Sequence, residues 1–222
     1  MQEVFNRQEL NYIHIGDALG GNQDWLREWD MNRGGCAAVT ACDLCLYLAL
    51  RENHSALYPY SLKKLNKEDF IRFTQVMKPY LAPRSHGIDF LEIYLAGLGA
   101  YWRDVGFSGL RAEGLSGTVP YETAEALVRV QIDAGLPIPY LMLRHWAPAL
   151  ENLEWHWFNL AGYEETPGGL VVKIVTYGEG QWLNLKRLWD TGADRRGGMI
   201  RLFRVESAAE IPILPDAPHQ LP

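Results

Sequence analysis

The apolar and polar positions of the chain change their pattern near Gly135. Before that residue the apolar runs are long and have helical spacing, and the segment from Cys36 to Arg51 contains strong helix formers and only two charged residues. After it, short apolar runs are separated by turn signals such as the Thr-Pro-Gly-Gly stretch at 166–169. Helices followed by strands are typical of an α+β fold.

Cap residues mark the ends of the predicted helices. Gly34 and Gly35 precede the first helix, Asn66 is a suitable N-cap for the second, and Gly135 is a suitable C-cap for the fourth. The predicted helices cover residues 36–51, 66–77, 88–104 and 120–135, and the predicted strands cover residues 138–146, 156–165, 170–177, 181–185 and 198–206. We therefore predict a single domain over residues 1–222, with a helical part at about 24–135, a β-rich part at about 136–206 and an extended tail at 207–222.

Composition and charge narrow the range of partners. The net charge is −6, which argues against a nucleic-acid-binding protein because such proteins usually present a basic face. We interpret the two short basic clusters, Lys63-Lys64 and Arg195-Arg196, as solvated surface. No basic start followed by an apolar run marks a signal peptide, and the longest apolar stretch, at about 44–50, is too short to span a membrane.

The three cysteines indicate a reducing compartment. Cys36, Cys42 and Cys45 lie on one predicted helix, so they do not form a disulfide framework. Together with the missing signal peptide, this predicts a cytoplasmic protein. We interpret Cys42 and Cys45 as buried structural residues, because this Cys-x-x-Cys pair lies mid-helix and has no second pair to complete a zinc site.

Cys36 has the best position for chemistry. It is the first residue of its predicted helix, where unpaired backbone N–H groups and the helix dipole stabilise a thiolate and lower the thiol pKa. The same N–H groups are suited to bind the oxyanion that develops during acyl transfer. We therefore expect Cys36 to be a nucleophile whose own amide contributes to the oxyanion site.

Two motifs extend this expectation. The first is GCAAVTA at 35–41, which runs into an apolar helix, and the second is HWFNLAGY at 156–163. In this order they resemble the nucleophile and base segments of the bacterial papain-like cysteine peptidases, in particular the bacteriocin-processing, double-glycine leader peptidases. The resemblance implies a papain-like α+β fold in which the nucleophile helix packs on a C-terminal antiparallel sheet. It also implies Cys36 as nucleophile, His156 as base, and a peptide or protein substrate.

The hairpin between two predicted strands places a third residue beside His156. With a turn centred near 166–167, facing residue numbers add up to about 332 to 334, so His156 lies opposite Thr176 to Gly178. In the family that the chain resembles, an Asp-Pro or Asn-Pro dipeptide at this place usually supplies the third residue of the catalytic triad. This sequence has neither dipeptide here. We therefore expect Thr176 to orient the imidazole, with Glu179 as the alternative.

The base and the oxyanion donor each have a second candidate. His145 is a rival base, although a structural histidine is the preferred interpretation. Papain-like enzymes often have a Gln six residues before the Cys; Asp30 occupies that position here and is a poor donor, so we expect Asn32 to act in its place. No metal-ligand spacing and no phosphate-binding loop is present, and we expect neither a metal nor a cofactor.

The sequence leaves three functions open. The leading hypothesis is a cysteine-dependent hydrolase of peptide or amide bonds. The same dyad also suits an acyltransferase, in which an amine or thiol accepts the acyl group in place of water. The third alternative is a catalytically degenerate peptidase fold that only binds a peptide or a partner protein. The sequence contains no signal for an oligomeric state.

Overall fold

A computed structural model describes residues 6–205, and in this range helices cover both faces of an antiparallel sheet. The α-helices are α1 (Trp29–Gly34), α2 (Cys36–Arg51), α3 (Lys67–Met77), α4 (Leu91–Asp104), α5 (Tyr121–Asp133) and α6 (Leu185–Trp189). The strands are β1 (Arg7–Glu9), β2 (His14–Ile15), β3 (Ala18–Leu19), β4 (Leu110–Ser116), β5 (Ile138–Met142), β6 (His156–Thr166), β7 (Gly169–Thr176), β8 (Glu179–Asn184) and β9 (Gly197–Arg204).

The main sheet has the strand order β4-β9-β5-β6-β7-β8, and every neighbouring pair is antiparallel. β6 is the longest strand and lies inside the sheet. Beyond the end of β5, the short strand β1 pairs with residues 162–164 of β6. β2 and β3 form a separate two-stranded ribbon.

Successive residues of β6 serve two different apolar cores. Trp157 packs with α2, α3 and α4, and its ring stacks on Tyr94 with centroids 4.1 Å apart. Phe158 points to the opposite face, packs with α5 and α6, and stacks on Tyr140 at 4.9 Å. Because side chains alternate along a strand, both faces of β6 are buried, and the fold has three layers.

The first predicted helix is confirmed at both ends, since α2 begins at Cys36 and ends at Arg51. All its residues from Cys36 to Ala49 are buried, which its apolar composition explains. The predicted N-cap of α3 is confirmed as well, with the Asn66 side chain accepting a hydrogen bond from the Asp69 amide. The five strands predicted after Gly135 are present with shifted ends.

The division into a helical part and a β-rich part is only approximate. β4 lies inside the predicted helical part and pairs along its whole length with β9. Its sequence, LRAEGLS, contains no β-branched or aromatic residue, so only this long-range pairing identifies it as a strand. α1 and α6 are short helices that were not predicted. The predicted tail at 207–222 lies outside the described residues.

Across residues 6–205, none of the helices has the length and apolar character needed to cross a membrane.

Candidate active site

Cys36 and His156 line the same narrow crevice, between the start of α2 and the start of β6. The crevice encloses about 10 Å³, which is about the room that one water molecule needs. The structure therefore brings together the two residues that the sequence motifs singled out. The other lining residues are Gly21, Gln23, Val39, Thr40, Asp43, Trp157, Val175, Thr176 and Tyr177.

Two side chains hold the start of β6 against the helical layer. The Asn159 amide donates to the Thr40 carbonyl of α2 at 3.1 Å. The Trp157 indole donates to the Ile88 carbonyl, just before α4, at 2.7 Å. Trp157 and Asn159 are alternate residues of one strand and share its face toward α2. They fix the strand that carries His156 relative to the helix that carries Cys36.

Gly35 makes the position of Cys36 possible. It is both the C-cap of α1 and the N-cap of α2, so the two helices follow each other without a loop. A Cβ atom on Gly35 would lie 2.4 Å from the Met31 carbonyl oxygen, a contact that only glycine avoids. Cys36 is therefore the first residue of α2, and its side chain is 6% exposed.

The protonation of Cys36 differs from the expectation. Burial raises the pKa of the Cys36 thiol, and hydrogen bonds from the backbone amides of Trp157, Ala37 and Cys36 itself offset this only in part. The sequence predicted a lowered pKa from the helix N-terminus, but the loss of solvation is the larger effect here. At neutral pH the resting group is a neutral thiol.

Thr176 is the hydrogen-bond partner of the imidazole. His156 Nε2 and Thr176 Oγ1 are 2.7 Å apart. The pairing of β6 with β7 near this contact agrees with the predicted one, because Asn159 faces Val175 and their numbers add up to 334. The β-bulge lies on the side of Asn159 away from His156, between Leu160 and Gly162. Glu179, the alternative, is exposed at the start of β8, and no hydrogen bond joins it to the ring among the described residues.

The imidazole is kept neutral by its surroundings. Burial lowers the pKa of His156 to about 4. Part of this burial comes from Tyr177, whose ring lies parallel to the imidazole with centroids 4.9 Å apart and an interplanar angle of 3°. Because Nε2 is bonded to Thr176, the Nδ1 atom is the one left for a neighbour in the crevice. A neutral His156 is therefore able to accept a proton.

Backbone strain flanks this pair on both sides. Trp155 precedes His156 and has φ = 53°, and Tyr177 follows Thr176 and has φ = 52°. Bulky residues rarely occupy the left-handed region, and each such residue costs on the order of 1–3 kcal/mol. Strain of this kind concentrates at functional sites, where the fold imposes a required geometry.

The structure places Asn32 away from the crevice. Its side chain is exposed and donates to the Leu26 carbonyl at 3.0 Å, so it is not directed at Cys36. Gln23 lines the crevice instead, and its Nε2 donates to the Asn32 carbonyl at 2.7 Å. Asp30, six residues before Cys36, lies 2.8 Å from Lys78, and this contact lowers the pKa of its carboxyl group.

Gln23 was missed because α1 lies between it and Cys36, which lengthens the usual spacing. The available signal was that Gln23 is the nearest glutamine before Cys36.

His145 has the structural role that the sequence favoured. Its Nε2 lies 2.8 Å from the Arg187 carbonyl, and its Nδ1 accepts the Ala147 amide at 2.9 Å. Both ring nitrogens are therefore engaged. Cys42 and Cys45 are completely buried, and burial raises the pKa of Cys45 to about 12. Their predicted burial is confirmed.

Asp43 is a buried carboxyl group in the lining of the crevice. Its Oδ1 accepts the Gly21 amide at 2.8 Å, which ties the loop before Gln23 to α2. Burial raises the pKa of Asp43 to about 8, and the hydrogen bond from Gly21 lowers it only in part. The signal in the sequence was a single acidic residue inside an apolar helix.

A larger open cleft begins at Cys36 and leads to the surface. Its volume is about 590 Å³, within the range of ligand-binding pockets. Trp155, which precedes His156, forms part of its wall. The remaining lining residues are Trp29, Asp30, Arg33, Gly34, Pro83, Arg84, Ser85, His86, Gly87 and Arg144.

Neither a search for metal-binding groups nor comparisons with known proteins assign a function. In the described part of the chain, no group of three or more His, Cys, Asp or Glu residues is arranged to hold a metal ion. A scan against protein-family models and a search of curated proteins both find no match.

Proposed function

We propose that this protein is a papain-like cysteine hydrolase of peptide or amide bonds. The observation that carries the proposal is the arrangement around His156. Its Nε2 is held by Thr176 at 2.7 Å, while its ring lines the same crevice as the Cys36 thiol at the start of a long buried helix. A nucleophile, a base and a group that orients the base are the parts that thiol-based acyl transfer needs.

The first step begins from a neutral pair. With Nε2 protonated and donating to Thr176, His156 Nδ1 accepts the Cys36 proton while Sγ attacks the substrate carbonyl carbon. The imidazolium then protonates the leaving amine, and the acyl group remains on Cys36 as a thioester. Because burial raises the pKa of Cys36 and lowers that of His156, we expect the charged pair to form only during the attack.

The negative charge of the tetrahedral intermediate needs donors beside Cys36. The Cys36 backbone N–H at the start of α2 is the first, and the Gln23 side-chain amide is the second. The Nε2 atom of Gln23 has two protons, and only one of them is used by the Asn32 carbonyl. Gln23 therefore takes the role that the sequence assigned to Asn32.

Water completes the cycle. His156, neutral again after protonating the amine, removes a proton from a water molecule that attacks the thioester carbonyl. The carboxylic acid leaves, and the proton returns to Cys36. An amine or thiol in place of water gives the acyltransferase alternative, and product analysis with added amines distinguishes the two reactions.

A second candidate function is a binding module without catalysis. The raised pKa of Cys36 and the small volume of the crevice favour it, because both reduce the reactivity of the thiol. In that case the cleft binds its peptide without cleaving it.

Alkylation with iodoacetamide tests the proposal without a known substrate. Peptide mapping measures the rate at each cysteine; we expect Cys36 to react far faster than Cys42 and Cys45, and His156→Ala to slow it. His14→Gln, at an exposed histidine of β2, is the matched control and is expected to have no effect. On any amide substrate found by screening, Cys36→Ala is expected to abolish hydrolysis. Equal rates at all three cysteines would refute the proposal.

A further inference from the structure

The open cleft beside Cys36 has one wall made from two segments that touch. A Cβ atom on Gly34 would lie 3.1 Å from Pro83, so the end of α1 is packed directly against the loop at 83–87. Arg33 directly precedes Gly34, and Arg84 directly follows Pro83. Both arginines line the cleft, and both side chains are exposed.

No ion pair within the described part of the chain neutralises the positive charge on this wall. Within residues 6–205, neither Arg33 nor Arg84 forms an ion pair, although many of the other arginines do. The one carboxylate among the lining residues is Asp30, and Lys78 already holds it at 2.8 Å. The cleft is thus locally basic in a chain whose net charge is −6.

The surroundings of Trp155 are also built on arginines, but there the charges are balanced. The guanidinium groups of Arg144 and Arg195 lie 5.3 Å and 4.8 Å from the Trp155 ring. Arg144 pairs with Glu154 at 3.1 Å, and Arg195 pairs with Asp89 at 2.7 Å. These two arginines pack against the tryptophan, and among the described arginines that line the cleft only Arg33 and Arg84 are without an ion pair.

Aromatic surface accompanies the unpaired charge. Trp29 is 75% exposed at the rim of the cleft, and the Arg33 guanidinium lies 5.8 Å from its ring centre. Large exposed aromatic side chains are costly to leave in water, and they are frequent where a protein binds a partner. Trp155 offers a second, half-buried ring in the lining of the same cleft.

We propose that this cleft binds an acidic peptide segment, with Asp or Glu side chains of the peptide paired to Arg33 and Arg84. Apolar parts of the same peptide pack against Trp29 and Trp155. The inference rests on the proposed function, because it assumes that the occupant presents a carbonyl group to Cys36. A planar guanidinium forms two parallel hydrogen bonds with a carboxylate, which gives this pairing both strength and direction.

Binding to the Cys36→Ala variant tests the inference without any cleavage. The probes are two fluorescein-labelled octapeptide pools with the same apolar residues, one with Glu and one with Gln at alternate positions. Fluorescence anisotropy at low salt is expected to give at least about tenfold tighter binding for the Glu pool. Arg33→Glu and Arg84→Glu are each expected to remove this preference.

The matched control is Lys64→Glu, which changes the net charge by the same amount at an exposed lysine outside the cleft lining. It is expected to keep the preference for Glu, and far-UV circular dichroism verifies that each variant is folded. Equal binding of the two pools, or unchanged binding in both arginine variants, overturns the inference. So does tighter binding of a single-stranded oligonucleotide than of the Glu pool.

The two proposals fail in different ways. If Cys36 is not alkylated selectively but the Glu pool still binds through Arg33 and Arg84, the hydrolase proposal fails and the acidic-peptide site stands. If Cys36 is selectively alkylated and both pools bind equally, the hydrolase proposal stands and the inference about its substrate fails.

Discussion

The imidazole of His156 lies flat against the phenol ring of Tyr177, with centroids 4.9 Å apart. This stacking covers one face of the imidazole, while Tyr177 as a whole residue is 38% exposed to solvent. Tyr177 therefore separates the imidazole from water and contributes to the low pKa of His156. Tyr177 follows directly after Thr176, so the residue that orients the base and the residue that covers it belong to one turn.

Removing the cover is expected to raise the pKa of His156. In Tyr177→Ala, water reaches the imidazole and stabilises its charged form, so the pKa rises from about 4 toward the value of about 6.5 for a free imidazole. An NMR titration of the histidine ring protons measures it, with His156→Gln to assign the signal. Tyr177→Phe keeps the ring and is expected to leave the pKa unchanged. The idea fails if the Ala and Phe variants titrate alike.

Loss of the Thr176 hydroxyl is expected to weaken the base without changing the shape of the site. Thr176→Val has nearly the same volume but no group for His156 Nε2. We expect Cys36 alkylation at neutral pH to slow by about tenfold or more, because the imidazole loses its preferred orientation and tautomer. Thr176→Ser is expected to restore most of the rate. A rate for Thr176→Val equal to that of the unchanged protein contradicts an orienting role.

Gln23 and Asn32 are expected to behave differently in hydrolysis. Gln23→Ala removes a proposed oxyanion donor and should lower the rate of amide hydrolysis by about 10²- to 10³-fold. Asn32→Ala should change it little, because the Asn32 contact with Gln23 uses the backbone carbonyl. Iodoacetamide alkylation forms no oxyanion, so neither variant should slow it by more than a few fold. A large loss in Asn32→Ala, with little in Gln23→Ala, would restore the assignment made from sequence.

Asp43 and His156 are expected to change stability with pH in opposite directions. The folded pKa of His156, about 4, lies below the unfolded value of about 6.5, so its contribution to stability falls as the pH drops through that window. The folded pKa of Asp43, about 8, lies above the ordinary value of 3.8 for an aspartic acid side chain, so its contribution to stability falls as the pH rises from about 4 to 8. Between about 6.5 and 8 only the Asp43 effect remains.

Asp43→Asn is therefore expected to flatten the stability profile above pH 6.5. Asn resembles the protonated carboxyl group and still offers an oxygen to the Gly21 amide. Denaturant unfolding at pH 6.5 and pH 8 should show a loss of up to about 1.4 kcal/mol per pH unit in the unchanged protein and less in Asp43→Asn. Asp69→Asn, at a carboxylate of the α3 cap region, controls for the general effect of losing one charge. Parallel profiles for the unchanged protein and Asp43→Asn would contradict the assignment.

The sequence was sufficient for the parts of the site that depend on local rules. The start of α2 follows from two glycines before an apolar helix, and the partner of His156 follows from counting across a single hairpin. The strands of the β-rich part follow from its short apolar runs and turn signals. The strand β4 did not follow, because its pairing with β9 joins distant parts of the chain.

The remaining features of the site depend on the tertiary structure. Gln23 and Cys36 line the same crevice although α1 separates them along the chain. The direction of the Cys36 pKa depends on burial by β6 and its neighbours, which outweighs the local effect of the helix N-terminus. The left-handed backbone of Trp155 and Tyr177 has no signal in their side chains.

The pairing of β1 with the far end of β6 has a practical use. Arg7 lies opposite Glu164, which is eight residues along β6 from His156. At about 3.3 Å per residue, Glu164 and its partner Arg7 lie roughly 26 Å from His156. A fluorophore or surface anchor joined at Arg7 therefore starts far from His156. Immobilised protein prepared in this way should keep its cleft open to peptides, so surface-based binding measurements and solution measurements can be compared directly.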